Sequence, residues 1–373
     1  MLQSKYYRLL NFFVSLFRSK KNVMTTFSRR GFIKTTIIGG IAATCIKPAS
    51  AFAALGNQPQ FSSRVSLTTG DNRADMVFRA LQPFSKEIAA AIGKRRVVLK
   101  PNNVSINIPL CATHVDTLEG TLEFLKSIRK LDNVIIAESA AGGPTLEGYD
   151  NYGYFRLISK YPVKLVDLDS EPFELIYVFD EKDFRPHPVR MSSVILDPDS
   201  FVVSVARMKT HDRVLATLSL KNVVVGAPIK DKGFTWTSAR KPGTINDKPF
   251  IHGGGFRGIN YNLYSLSRQV HPHLAVIDGF EGMEGNGPNA GTPVDHRICI
   301  TGLDWLAADR VGVELMGIDF ANVGYLNYCA QTGLGVADLG KIEIIGEPIN
   351  KHIRQYRMSD NFNDQLVWKK AVS

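Results

Sequence analysis

Lys209-Thr210-His211 sets a cation two residues from an imidazole that titrates near neutral pH. His211 can therefore take a proton, give one or bind a metal. A lone histidine of this kind also serves as a structural hydrogen-bonder. Glu138, in Ala137-Glu138-Ser139, adds a carboxylate to the same chemistry. His211, Glu138 and Lys209 are the candidate catalytic groups. Lys221 and Asn222, in Ser219-Leu220-Lys221-Asn222, offer a cation and an amide suited to gripping a carboxylate or phosphate. Taken alone, that segment reads first as a solvated helix face. Lys100 and Asn102, in Lys100-Pro101-Asn102-Asn103, supply a similar pair for holding a cofactor or ligand.

Residues 278–293 gather glycines at 279, 282, 285, 287 and 291 around Asp278, Glu281, Glu284 and Asn286. Glycines let backbone amides approach an anion or let oxygens wrap a cation. Carboxylate and amide oxygens without a cysteine suit a hard cation such as Mg or Ca. Asp278 and Glu284 are the candidate metal ligands, with Asn286 beside them as a cofactor contact; a plain turn is the alternative. Gly253-Gly254-Gly255-Phe256-Arg257-Gly258 spells the dinucleotide pattern, but no expected strand precedes it. His252-Gly253-Gly254-Gly255 is similar to the oxyanion loop of esterases, but no Gly-x-Ser-x-Gly elbow accompanies it. His271-Pro272-His273 precedes an expected strand, the end away from a site.

These residues must be positioned by the elements between them. Short apolar runs at 96–100, 134–137, 163–166, 201–205, 274–277, 298–300 and 342–345 read as strands. Residues 115–130 read as a helix, with Val115, Leu118, Leu122, Leu125 and Ile128 at three- and four-residue spacing. A second helix is expected over 304–315. Strands alternating with helices predict an α/β fold, a layered and mostly parallel sheet flanked by helices. Residues 168–200 read as a β-rich insertion, and 226–260 as a long irregular loop of the functional or mobile kind. In such sheets ligands bind outside the carboxyl ends of the strands. The clusters at 100–103, 138–139, 207–212 and 278–288 then converge on one edge. Ordinary capping and turn chemistry is the alternative.

Of 373 residues, 44% are hydrophobic and 21% charged, an ordinary globular balance. The net charge of +10 resides in residues 1–51, which hold nine basic side chains and no acidic one. The remainder has 36 basic against 35 acidic residues, so nucleic acid is not an expected partner. Ser28-Arg29-Arg30-Gly31-Phe32-Ile33-Lys34 reads as a twin-arginine signal, followed by an apolar stretch too short to span a bilayer stably. Ala49-Ser50-Ala51 offers a cleavage site, and Met24 is an alternative start. The expected division is a leader over 1–51, a lead-in over 52–94, a single α/β domain over 95–350 and a tail over 351–373. Cys111, Cys299 and Cys329 follow the leader without any Cys-x-x-Cys pair, so an iron–sulfur cluster is not expected. One disulfide among them is open in an oxidising compartment.

The ordered set Val97-Val98-Leu99-Lys100-Pro101-Asn102, Ala137-Glu138-Ser139, Lys209-Thr210-His211, Leu220-Lys221-Asn222, Asp278-Gly279, Met283-Glu284-Gly285-Asn286-Gly287-Pro288 and Gly302-Leu303-Asp304 through Ala308-Asp309 resembles the domain-of-unknown-function 362 family. The resemblance implies the α/β fold. It marks Lys100, Asn102, Glu138, Lys209, His211, Lys221, Asn222, Asp278, Glu284, Asn286 and Asp304 as matching positions. Members with attached ferredoxin-type motifs exist, but their cysteines are missing here, and the family name gives no reaction. The leading expectation is an exported, periplasmic enzyme using a divalent metal or anionic cofactor on a small polar substrate. In it Lys209 and Lys221 neutralise substrate charge. The alternative is a non-catalytic binding protein that holds an anionic ligand between Lys100, Lys209 and Lys221. The expected partners are the twin-arginine translocase during export and a small-molecule ligand, with no stable membrane span after cleavage.

Overall fold

Valine-rich runs with polar stops set the central sheet of the computed structural model, which describes residues 61–236 and 243–370. Its strands are β1 (Ser63–Thr69), β2 (Arg96–Lys100), β3 (Val134–Glu138), β4 (Val163–Asp167), β7 (Ser200–His211), β9 (Leu274–Asn286), β10 (Ala290–Gly302) and β11 (Ile342–Gly346), with β8 (Leu215–Thr217) added to β7. They lie in the order β11-β1-β10-β9-β7-β2-β3-β4. Along this path β10 alone runs against the others: β9, β7, β2, β3 and β4 pair in parallel, as do β1 and β11. β5 (Phe173–Phe179) and β6 (Pro186–Ser192) form a separate antiparallel hairpin, the expected β-rich insertion.

Strand periodicity divides the core into two layers. Val97 and Leu99 of β2, with Phe201, Val203 and Val205 of β7, pack under helices Arg73–Leu81 and Val115–Ser127. Val98 and Val202 face the other way, toward helices Ser219–Gly226, Phe256–Ser267 and Trp305–Leu315. The fold is thus the expected α/β arrangement, a mostly parallel sheet flanked by helices. Chain order runs outward from β2 through β3 to β4, then returns to the other side of β2 with β7. Connections that diverge from two adjacent parallel strands leave a crevice at their carboxyl ends.

Several elements extend past the apolar runs. β7 continues six residues beyond Val205, through Arg207, Lys209 and His211, and every residue in it is buried. A register shift between Arg207 and Lys209 marks a bulge in its pairing with β9, a device that re-aims side chains. The glycine-rich stretch from Asp278 is not a wrapping loop: it continues β9 and turns back as β10. The sheet also takes in β1 from the stretch read as lead-in, and Tyr356 and Gln365 from the tail are buried. Cys111, Cys299 and Cys329 are buried free thiols, so the disulfide left open by the sequence is not formed. The twin-arginine leader lies outside the described residues. Among the described residues no helix is long and apolar enough to cross a membrane.

Candidate functional site

The crevice beside β2 and β7 opens into a cavity of about 820 Å³. Asn102 and Asn103 enter it from the loop after β2, Glu138 and Ser139 from the end of β3, and His211 from the last residue of β7. Lys221 and Asn222 come from the first turn of helix Ser219–Gly226, and Lys248 and His252 from the turn Lys248–His252. Asp180 and Lys182 of the β5–β6 hairpin stand at one wall.

Five lysines are buried among the described residues; Lys230 is paired with Asp169, and the other four surround this edge of the sheet, each with different company. Lys100 Nζ donates to Glu138 Oε2 at 2.8 Å, Glu138 Oε1 at 2.9 Å and Asn222 Oδ1 at 3.1 Å. Glu138 also accepts the N–H groups of Asn103 and Ser139. Burial pushes the Lys100 amine down and the Glu138 carboxyl up, and their attraction opposes both shifts. Lys209 Nζ, behind the wall, donates to Asn102 Oδ1 and to the Cys111 carbonyl. Burial lowers it to about 8. Lys248 Nζ donates to Ser139 Oγ at 2.7 Å and to the Pro228 carbonyl, and the Ser139 hydroxyl donates in turn to Asp169 Oδ1. Burial brings Lys248 to about 7.

Lys221 is held differently. Its Nζ stands 3.0 Å from His211 Nε2, and among the described residues it forms no ion pair within 4.0 Å. Burial, reinforced by the neighbouring charge of Lys209, lowers its amine to about 7. His211 is held well below the usual imidazole range by burial and by Lys221, so the ring is neutral. The His211 Nδ1 accepts the Arg213 N–H at 3.0 Å. Asp212 Oδ1 also stands 3.2 Å from Nδ1, but the hydrogen bond at that nitrogen is the one from Arg213 N–H, which leaves the ring proton on Nε2, facing the lysine. Burial also lowers His252 to about 4, with Lys221 the next cause.

Asp309, on helix Trp305–Leu315, fixes the element that carries Lys221. Its carboxylate oxygens accept the N–H groups of Ser219 at 2.8 Å and Leu220 at 3.0 Å. These are unpaired donors at a helix N-terminus, where a carboxylate is also favoured by the backbone dipoles.

This ordered set of strand-end residues lies within a longer match: residues 97–314 fit the family described as Domain of unknown function (DUF362). The chain belongs to the DUF362 family. It is 24% identical over 243 residues to the thylakoid-associated protein sll1697 of Synechocystis sp. (strain ATCC 27184 / PCC 6803 / Kazusa), covering 65% of this chain and 68% of that protein. A crystal structure of a Thermotoga maritima protein superimposes with a TM-score of 0.36 at 14% identity, covering 63% of this chain and 56% of that one.

In this DUF362 protein the cavity brings together Asn102, Glu138, His211, Lys221 and Asn222, with Lys100 and Lys209 in contact just behind them. It does not bring in Asp278, Glu284 or Asn286. Asp278 is buried elsewhere, accepting from the Thr117 hydroxyl at 2.7 Å and the Phe280 N–H at 2.9 Å, with Arg73 Nε at 3.4 Å. Glu284 accepts the Arg357 N–H, and Asn286 binds Ser359 and Asp360 in the C-terminal segment. Among the described residues no group of three or more His, Cys, Asp or Glu is placed to hold a metal ion.

Sequence reasoning passed over Lys248, Arg213 and Trp236, which line the same cavity. Lys248 and Trp236 lie in the long irregular stretch over 226–260, and its unusual length was the available signal. The His252-Gly253-Gly254-Gly255 segment serves neither as an esterase loop nor as a dinucleotide turn. Its glycines admit the Asp180 and Glu181 side chains of the hairpin tip. The His271 and His273 rings stand side by side, and His273 Nδ1 accepts the Val202 N–H, a structural duty.

Proposed function

We propose that this protein binds a small anionic molecule in the 820 Å³ cavity, with Lys221 as its principal contact. The observation that carries the reading is a buried lysine on the cavity wall that forms no ion pair among the described residues. Burial lowers the Lys221 amine to about 7, so in the empty cavity it is poised to give up its proton, and an incoming carboxylate or phosphate supplies the charge that holds it as an ammonium. Arg213, Lys248 and Lys182 line the same space. Glu138, the deepest carboxylate there, is already engaged by Lys100. The pairing of Lys221 with a neutral His211 supports an enzyme acting on that molecule over a purely passive binder, since two groups share one proton there. A metal-assisted version draws no support from Asp278 and Glu284, whose oxygens are spent on Thr117, Phe280 and Arg357.

The test is thermal unfolding with inorganic phosphate, pyruvate or citrate, each at matched ionic strength against chloride. A ligand present at a hundred times its dissociation constant stabilises the folded state by about 2.7 kcal/mol. The expected result is a concentration-dependent rise in Tm that disappears in Lys221→Met. Equal stabilisation of wild type and Lys221→Met would overturn the assignment of Lys221, and no effect from any anion would overturn the reading itself.

The reading places this chemistry outside the cytoplasm, supported by Arg29-Arg30 and the small residues at 49–51. Changing both arginines to lysine in the full chain should retain the protein in the cytoplasmic fraction. Unchanged periplasmic recovery would argue against the twin-arginine route.

A further inference from the structure

We propose that the side-chain amine of Lys221 condenses with the carbonyl carbon of a small anionic aldehyde or 2-oxo acid held in the cavity, forming an imine. The inference rests on the anion-binding reading and names the substrate class for it.

The buried lysines differ in what their nitrogens face. Lys100 points at a carboxylate, Lys209 at an amide oxygen and a carbonyl, and Lys248 at a hydroxyl and carbonyls. All of these partners are acceptors or can act as one, and acceptors hold an amine in its protonated, non-nucleophilic form. Lys221 instead faces a ring nitrogen. Because His211 Nδ1 takes the Arg213 N–H, the proton of the neutral ring lies on Nε2. The 3.0 Å contact between Nε2 and Lys221 Nζ is then a hydrogen bond only if the amine offers its lone pair. The geometry therefore poises Lys221 as a free base, the form required of a nucleophilic lysine. Lys209 nearby reinforces this by disfavouring another positive charge on the amine, and Asp212 acts in the opposite sense.

The chemistry balances with the residues present, the carbonyl compound and one proton from solvent. The Nζ lone pair attacks the carbonyl carbon, forming the C–N bond and placing the π electrons on oxygen. A proton passes from the positively charged nitrogen to that oxygen through solvent, while His211 Nε2–H donates a hydrogen bond to the oxygen, giving the neutral carbinolamine. The resulting carbinolamine takes one proton from solvent on its hydroxyl and loses it as water, leaving the iminium, with its positive charge, on Nζ. Arg213 and Lys248 supply cationic sites for the substrate's carboxylate within the same cavity. No oxidant or metal enters the balance.

The experiment is borohydride trapping of the full chain with pyruvate or glyoxylate, read by intact and peptide mass spectrometry. The expected product from pyruvate is heavier by one pyruvate less an oxygen atom, located on the peptide containing Lys221. It should be lost in Lys221→Arg, which keeps the cation, and suppressed in wild type by excess inorganic phosphate. The phosphate arm needs no variant, so a folding defect in the variant cannot hide the answer. Stabilisation by anions without a Lys221 adduct would overturn the imine and leave the binding reading intact. Adducts spread over surface lysines, and unaffected by phosphate, would overturn it equally. Neither stabilisation nor adduct would remove both.

Discussion

Asp309 and Ser219 are ninety residues apart, yet the Asp309 carboxylate takes the Ser219 N–H at 2.8 Å and so anchors the helix that presents Lys221. Its second oxygen takes the Leu220 N–H. Burial raises this carboxyl to about 7, its hydrogen bonds pull the other way, and Asp304 adds a smaller upward push. A carboxyl whose folded-state pKa exceeds its unfolded one holds an extra proton in the native state between the two values. Stability attributable to Asp309 therefore falls as pH rises from about 4 to about 7. One proton accounts for a slope of at most about 1.4 kcal/mol per pH unit. Urea unfolding of wild type and Asp309→Asn across this range should show the wild type losing ground to the variant as pH rises. Parallel curves would show that Asp309 does not titrate there.

The Lys100–Glu138 pair is fully buried and shared with Asn103, Ser139 and Asn222. Removing one partner leaves an uncompensated charge, so Lys100→Met and Glu138→Gln should each cost about 3–5 kcal/mol in chemical denaturation. The double variant Lys100→Met/Glu138→Gln should cost less than the sum of the two single changes, since neither charge is then stranded. Additive costs would mean that the two side chains act independently despite their 2.8 Å contact.

Much of the scaffold can be read in the sequence because strands covered on both faces write themselves as unbroken apolar runs, as Val97-Val98-Leu99 does. The site is less legible. Arg207, Lys209 and His211 end the apolar pattern of β7, although the strand continues through them. Their burial is met by Ala112, Asn102 and Lys221, partners distant in the chain that no local pattern reveals. The glycines and acids from Asp278 onward suggest an ion-binding loop; they form a ladder with β10 because Gly282 lies opposite Val294 and Glu284 opposite Thr292. Lys248 lies in a Pro/Gly-rich loop with no pattern to single it out, and only the fold shows its amine directed inward onto Ser139.

The hairpin wall of the cavity depends on two close approaches. A Cβ on Gly255 would lie 2.0 Å from Glu181 Oε1, whereas one on Gly258 would lie 2.0 Å from the Gly253 carbonyl oxygen. The first obstacle is the end of a flexible side chain, and the second is backbone. Gly258→Ala should therefore destabilise by about 1–3 kcal/mol or more, as overpacking does. Gly255→Ala should cost less, and Glu181→Ala introduced beside it should remove most of the steric part of that cost. Thermal unfolding of the three variants gives the comparison; a Gly255→Ala variant as damaged as Gly258→Ala would show that Glu181 cannot yield.

Asp278 tests whether the glycine-rich ribbon has a structural or an ion-binding duty. Its carboxylate is fully buried between Thr117, the Phe280 N–H and Arg73, whose guanidinium also lies over the Phe280 ring. Asp278→Ala strands the buried Arg73 charge and should destabilise the protein by about 3–5 kcal/mol. Glu284, partly exposed and accepting the Arg357 N–H, should cost about 1 kcal/mol when changed to Ala. These two carboxylates have separate partners, so the changes should be additive in unfolding free energy. Elemental analysis of folded protein purified without added metal or chelator provides the counter-test. Metal content should not depend on either side chain. A near-stoichiometric cation lost from both variants while they remain folded would restore the pair as ligands, and would require the ribbon to rearrange so that Asp278 leaves Thr117.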